Sequence, residues 1–369
     1  MDTGQTPRTF FYSLDGIRAI AAFMVVLLHT APLFGIERPR ESYLAVDLFF
    51  ALSGVVICHN YENRLLRGLT TAQFAWIRAV RLYPLYLAGT AISVVAWFVF
   101  GAEPGSPAIG VLLPLSLAVV PYVGASAIAY FPLNMPAWSL ILEFLVNLFY
   151  ARITRRLDRR ALLLIMVFSI VGLLICMRLI RPHSIELGWR YARWRSLDLG
   201  MIGGVFRVGY SFFAGVLLYR HFVRHRLVTS EPGRLALCVP WLIVSAVALI
   251  LCARPSPEVR PYFDLTVVAI VFPLLIYAAL WFRSAGTGNP LFKFAGNLSY
   301  AVYAIHFPLS MLMEKTVERT TGMRLEFYTP WGGIGFLLVL LITCLLLDRR
   351  YDVPLRRALL SSRIRPLPA

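Results

Sequence analysis

Residues 14–34 read LDGIRAIAAFMVVLLHTAPLF, an apolar run with Arg18 near its start and His29 near its end. A hydrophobic stretch of about 20 residues is what a helix needs to cross a hydrocarbon core of about 30 Å. The two polar side chains are eleven positions apart, which at about 100° per residue brings them to within about 20° of one stripe. The helical rise sets them about 16 Å apart along the axis, half the hydrocarbon thickness. An ionisable group inside a span is costly and faces protein or a wet cavity. Two on one stripe therefore either line a polar route or snorkel to opposite headgroup layers.

The rest of the chain has the same character. Hydrophobic residues make up 59% of the 369 and charged residues 15%, and the mean hydropathy is +0.70. A soluble domain averages about 25% charged and about 45–50% apolar. Composition therefore implies an all-α polytopic membrane protein, one membrane-embedded domain over 1–369, with no room for a separate soluble catalytic domain. The net charge of +17 would suggest nucleic acid in a soluble chain; here it fits anionic lipid and the positive-inside rule. The five cysteines, Cys58, Cys176, Cys238, Cys252 and Cys344, lie in apolar runs without pairing or metal spacing. They read as small hydrophobes, and no metal is expected. The first apolar run is followed by charges from Glu37 to Glu41 rather than by a small-residue cleavage site, so it is expected to persist as the first helix.

Ten spans are expected, near 14–34, 43–59, 82–101, 137–151, 161–180, 199–219, 235–253, 262–282, 295–313 and 331–348. The stretch 109–133 is also apolar, but Pro114, Pro121, Gly124 and Pro132 interrupt its helical pattern. A crossing there would also put Arg152, Arg155, Arg156, Arg159 and Arg160 outside. It is therefore expected to be a re-entrant hairpin. Both termini then lie in the cytoplasm, with most basic residues on that side. The loop carrying Arg190, Arg193 and Arg195 is the exception, and could meet an anionic glycan or lipid headgroups.

Four further stretches carry polar groups that an apolar span does not need. AVDLFFALSGVVI places Asp47 and Ser53 in lipid-like sequence; Asp47 either faces the interior or is solvated at a span end. Arg78-Ala-Val-Arg81-Leu-Tyr-Pro84-Leu-Tyr86 sets two planar guanidinium forks on one helix face, which suits a phosphate or simply obeys the positive-inside rule. Pro136-Ala-Trp138-Ser139-Leu-Ile-Leu-Glu143 carries a carboxylate into a span, where it needs a partner or an altered proton affinity, as an acid–base group does. Ser299, Tyr303 and His306 stand at i, i+4 and i+7, a polar stripe that either serves a site or ties helices together. Arg207, inside the span over 199–219, reads as the counter-ion of a buried carboxylate such as Glu143.

Taken in order, these segments resemble those of the acyltransferase-3 family, bacterial inner-membrane enzymes that decorate surface polysaccharides and other glycosides. Arg18 and His29 are similar to its Arg-x10-His, Val46 to Gly54 to its Val-Asp-Leu-Phe-Phe-x-Leu-Ser-Gly, and Arg78, Arg81, Pro84 and Tyr86 to its Arg-x-x-Arg with following Pro-x-Tyr. Trp138 to Glu143 match its Trp-Ser-Leu-x-x-Glu, and Ser299 to Pro308 its Ser-Tyr-x-x-Tyr-x-x-His-x-Pro. The chain departs from the pattern at Ala45, Phe144, Val146 and Asn147.

The resemblance implies transfer of an acyl group, acetyl above all, from an acyl-coenzyme A such as acetyl-CoA. The acceptor it implies is a hydroxyl of a carbohydrate or glycolipid. Acyl transfer needs a base or an acyl-carrying nucleophile and donors near the developing oxyanion. On this reading His29 is the base or relay, helped by Glu143 or Asp47. Arg78 and Arg81 hold the phosphates, and Arg18 lines the passage of the acylated arm. Trp138, Ser139, Tyr300, Tyr303 and His306 orient the acceptor. The partners expected are the lipid bilayer and a carbohydrate acceptor, with no nucleic acid, and a homo-oligomer or a polysaccharide-assembly complex is open. The alternative reading is a transporter for a glycan or small carboxylic acid, which would use the same cavity, although the two halves show no paired broken helices.

Overall fold

A computed structural model describes residues 12–101, 106–124, 129–180, 185–190, 192–194, 197–225, 235–282 and 290–361. These form thirteen helices and one two-stranded ribbon. In chain order the helices are α1 (Tyr12–Thr30), α2 (Ala45–Leu66), α3 (Thr71–Phe100), α4 (Ile109–Leu117), α5 (Ala137–Ile153), α6 (Arg159–Leu179) and α7 (Leu199–His225). After them come α8 (Leu235–Leu251), α9 (Arg260–Thr266), α10 (Phe272–Trp281), α11 (Pro290–Thr321), α12 (Trp331–Leu347) and α13 (Val353–Ser361). A π-helical turn joins α9 to α10, and another joins α12 to α13. The ribbon pairs Arg193–Trp194 with Leu197–Asp198, antiparallel. Arg195 lies outside the described residues.

All ten expected spans fall on helices, so the chain is an all-α polytopic membrane protein. Among the described residues, eight helical stretches are long and apolar enough to cross a bilayer. The helix over Cys238–Leu251 is shorter. α11 is 32 residues long, but Asn297, Ser299, Tyr300, Tyr303 and His306 keep its apolar character lower. Helix ends extend beyond the apolar stretches. α3 starts at Thr71, not near 82, because Thr70 and Gln73 close a capping box and hydropathy marks the lipid boundary rather than the end of the backbone hydrogen bonding. Arg78 and Arg81 therefore sit inside a helix.

The stretch 109–133 does not cross as one helix. α4 runs back along α3, where Tyr86 and Tyr83 donate to the carbonyls of Ser116 and Leu117 at 2.7 and 2.6 Å. At Val119 the backbone enters the left-handed region, with φ 54°, and the chain returns. Ser106, Leu112, Pro132 and Leu133 then line one cavity with Trp97, so both ends lie at the same end of α3. The expected hairpin is the observed shape; residues 125–128 lie outside the described residues.

Close helix packing relies on small residues, as expected where lipid supplies little hydrophobic drive between helices. A Cβ at Gly54 would fall 2.1 Å from the Phe212 carbonyl, and one at Gly215 would fall 2.0 Å from that of Ala51. α2 and α7 thus touch backbone to backbone. α11 packs chiefly against α1 and α3, which brings the stripe of His29 and the arginines of α3 to one helix.

Candidate active site

Five helices line a cavity of about 160 Å³ bordered by Arg18 of α1, Phe49 and Ser53 of α2, Arg78 and Arg81 of α3, Ser139 and Glu143 of α5, and Ser299, Tyr300 and Tyr303 of α11. Arg78 and Arg81, one helical turn apart, both reach it. Glu143 Oε1 accepts from Arg78 Nη2 and from Ser53 Oγ, each at 2.8 Å. Arg81 stands 5.5 Å over the Tyr300 ring, and one of its nitrogens lies 3.8 Å from Asp352. Arg18 donates to Asp15 at 3.3 Å. Each of the three arginines thus meets one carboxylate.

Tyr303 forms one end of this cavity. Its hydroxyl is 2.6 Å from Ser139 Oγ, which donates to the Pro136 carbonyl at 3.0 Å, and its ring packs edge-on to Phe49. One turn further along α11 is His306, fully buried, with ring centres 6.0 Å apart. His306 Nε2 lies 3.1 Å from His29 Nδ1. The stripe anticipated on α1 therefore runs from the arginine cavity to a histidine pair, about 16 Å by helical rise from Arg18 to His29.

Backbone carbonyls fix which nitrogens carry hydrogen. His306 Nδ1 lies 2.9 and 3.1 Å from the carbonyls of Tyr303 and Val302. A carbonyl only accepts, so Nδ1 is the N–H of the neutral ring and Nε2 holds the lone pair. His29 Nδ1 faces the Val25 carbonyl at 3.0 Å as well as that lone pair, so it too carries its hydrogen on Nδ1. The remaining nitrogen, His29 Nε2, is the basic one. This is the arrangement in which a second group orients a general base and stabilises its protonated form.

The chain matches the family described as "Acyltransferase domain" over residues 11–349. It belongs to this acyltransferase family. It is also 37% identical over 186 residues to "Protein 2 in picA locus" of Rhizobium radiobacter, an alignment covering 46% of this chain and 96% of that protein. No solved structure matches.

Within this acyltransferase, Asp47 and Trp138 stand outside the residues that line the cavity. Asp47 Oδ2 is 2.5 Å from Arg207 Nη2, and its Oδ1 accepts from Arg207 Nε at 3.2 Å; both side chains are buried. Arg207 also donates to the carbonyls of Leu187 at 2.7 Å and Tyr43 at 3.2 Å, and lies 5.4 Å over the Trp138 ring. Arg207 is thus the counter-ion of a buried carboxylate, as expected, but that carboxylate is Asp47 and not Glu143, which Arg78 holds. α7 packs on α2 along its length, which pairs Arg207 with Asp47, while α5 meets Arg207 through the Trp138 ring rather than through Glu143. The structure also adds Asp15, Phe49 and Asp352 to the site, and gives Ser53, already conspicuous in the second span, a place on Glu143. Asp15, three residues before Arg18 on the same helix face, was readable from spacing. Asp352, which follows α12, had no such signal. Among the described residues, no cluster of three or more His, Cys, Asp or Glu is placed to hold a metal ion.

Proposed function

We propose that the chain is a membrane O-acyltransferase that moves an acyl group, acetyl in the first instance, from acyl-coenzyme A to a hydroxyl of a carbohydrate or glycolipid. The observation that carries this reading is the His29–His306 contact next to an arginine-lined cavity in a chain of an acyltransferase family. Arg78, Arg81 and Arg18 bind the donor phosphates by exchanging their carboxylate partners for phosphate oxygens. The thioester arm extends from the arginines towards Tyr303 and the histidine pair. His29 Nε2 takes the proton of the acceptor hydroxyl as its oxygen attacks the thioester carbonyl. The C–S bond then breaks, and the proton returns to the departing sulfur, giving the ester and free coenzyme A thiol. His306 holds the imidazolium formed between these steps. Ser139 and Tyr303 border the acceptor side.

The setting we infer is the bacterial inner membrane, with both termini cytoplasmic and the donor on that side. The test is release of free thiol by the purified protein given acetyl-CoA and a polysaccharide or glycolipid fraction, with the ester on the sugar read by mass spectrometry. Acceptor-dependent thiol release that His29→Gln abolishes is the expected result. Acetyl-CoA left intact by the wild type across such acceptors would overturn the reading and favour transport.

A further inference from the structure

The π-turn after α12 places Asp352 beside Arg81, which lines the cavity, with the Asp352 side chain wholly buried. Arg356, one turn later on α13, lies with Nη2 2.9 Å from Asp352 Oδ2. Arg81 Nη1 approaches the same oxygen at 3.8 Å. Two guanidinium groups from two helices thus converge on one oxyanion. The fit is incomplete. Neither Asp352 oxygen makes a hydrogen bond of good geometry, and Arg356 Nε is buried without an acceptor. The carboxylate holds the pair by charge while leaving donors of the fork unused. α13 is fastened along α3 by Trp76 Nε1, which donates to the Leu359 carbonyl at 3.4 Å. Arg356 is therefore held next to Arg81, which lines the cavity.

A planar fork with unused donors is matched by a phosphate, which offers more oxygens and more charge than a carboxylate. We propose that Arg356 is a donor-binding residue, forming with Arg81 a phosphate subsite at the edge of the cavity that Asp352 occupies until the donor displaces it. The proposal rests on the acyl-coenzyme A reading above. Arg356 lies beyond residues 11–349, so the family match does not assign it.

Binding of coenzyme A to the purified full chain tests this with two substitutions that break the same ion pair. Arg356→Ala should weaken binding roughly 10- to 100-fold, the range for one lost charge-assisted contact. Asp352→Asn should tighten it, because a competitor is removed. Binding of pantetheine, which has no phosphate, should be unaffected by Arg356→Ala. Arg356→Lys, which keeps the charge but lacks the planar fork, should recover only part of the loss. A merely structural pair predicts losses of the same sign for Arg356→Ala and Asp352→Asn, or equal losses for coenzyme A and pantetheine, and either result overturns the proposal. Wild-type protein that binds no coenzyme A would instead overturn the donor reading itself. Wild-type binding that Arg356→Ala leaves intact would remove the subsite alone.

Discussion

Replacing His306 separates the two histidines by role. His306→Phe keeps a ring in the buried space but removes the lone pair that faces His29 Nδ1 at 3.1 Å. His29 Nδ1–H keeps the Val25 carbonyl at 3.0 Å, so the tautomer survives and the base itself remains. What is lost is one hydrogen bond to His29 once it carries the proton. A hydrogen bond to a charged group contributes about 1.5–3 kcal/mol, which at about 1.4 kcal/mol per decade is a loss of about 10- to 100-fold in kcat. His306→Gln offers a carbonyl oxygen in place of Nε2 and should stay within several-fold of wild type. His29→Gln, by contrast, removes the base and should cost at least the about 10²–10⁴-fold typical of general-base catalysis. Neither histidine lines the arginine cavity, so coenzyme A affinity should hold in all three variants. The assay is thiol release from acetyl-CoA per folded molecule at saturating donor. Two results would refute the reasoning: His306→Phe matching wild type, or His29→Gln retaining most of the activity.

Three further outcomes follow from the geometry. Arg78→Ala and Arg81→Ala should each weaken coenzyme A binding by roughly 10- to 100-fold, and Arg78→Lys and Arg81→Lys, which keep charge but lose the fork, should recover only part of that loss; full affinity in the lysine variants would leave the pair as topology charge. Arg207→Ala strands the buried Asp47 and should cost about 3–5 kcal/mol of stability, read as a lower yield of folded protein, with donor affinity per folded molecule preserved. For the hairpin, Ser106→Cys and Val123→Cys both place a thiol on exposed positions and should label from the outside with an impermeant reagent; labelling of Val123→Cys only after permeabilisation would contradict a re-entrant path.

The one-dimensional features were legible because they follow from period and length. Eleven residues between Arg18 and His29 give one stripe, and Ser299, Tyr303 and His306 give another. Both stripes face the interior between α1, α5 and α11, as the cost of lipid exposure requires. The hairpin was legible because prolines and a basic run bear on the same question. Pairings across the bundle were not legible. Arg207 had two carboxylates available, Asp47 and Glu143, and only the backbone contact of α2 with α7 through Gly54 and Gly215 decides between them. Asp352 was missed for the same reason. It sits among Arg349, Arg350, Arg356 and Arg357 and reads as one acid in a basic tail, until the π-turn aims it at α3.

The pairing pattern bears on which anions the cavity accepts. Arg18, Arg78 and Arg81 approach Asp15, Glu143 and Asp352 at 3.3, 2.8 and 3.8 Å, so the resting cavity holds three opposed charge pairs. Unit charges about 4 Å apart interact by about 4 kcal/mol at an effective dielectric of about 20. A ligand that takes one arginine therefore has to replace a carboxylate already in place and leave that carboxylate another partner. A free monoanion such as acetate replaces one contact of similar strength and gains little. A donor with several phosphates on one framework replaces several contacts at once, adds oxygens that use fork donors now idle, such as Arg78 Nε, and is ordered only once. Exchange of this kind favours polyanionic donors over small carboxylates. For a cavity embedded in lipid it also keeps the arginines compensated while no donor is bound.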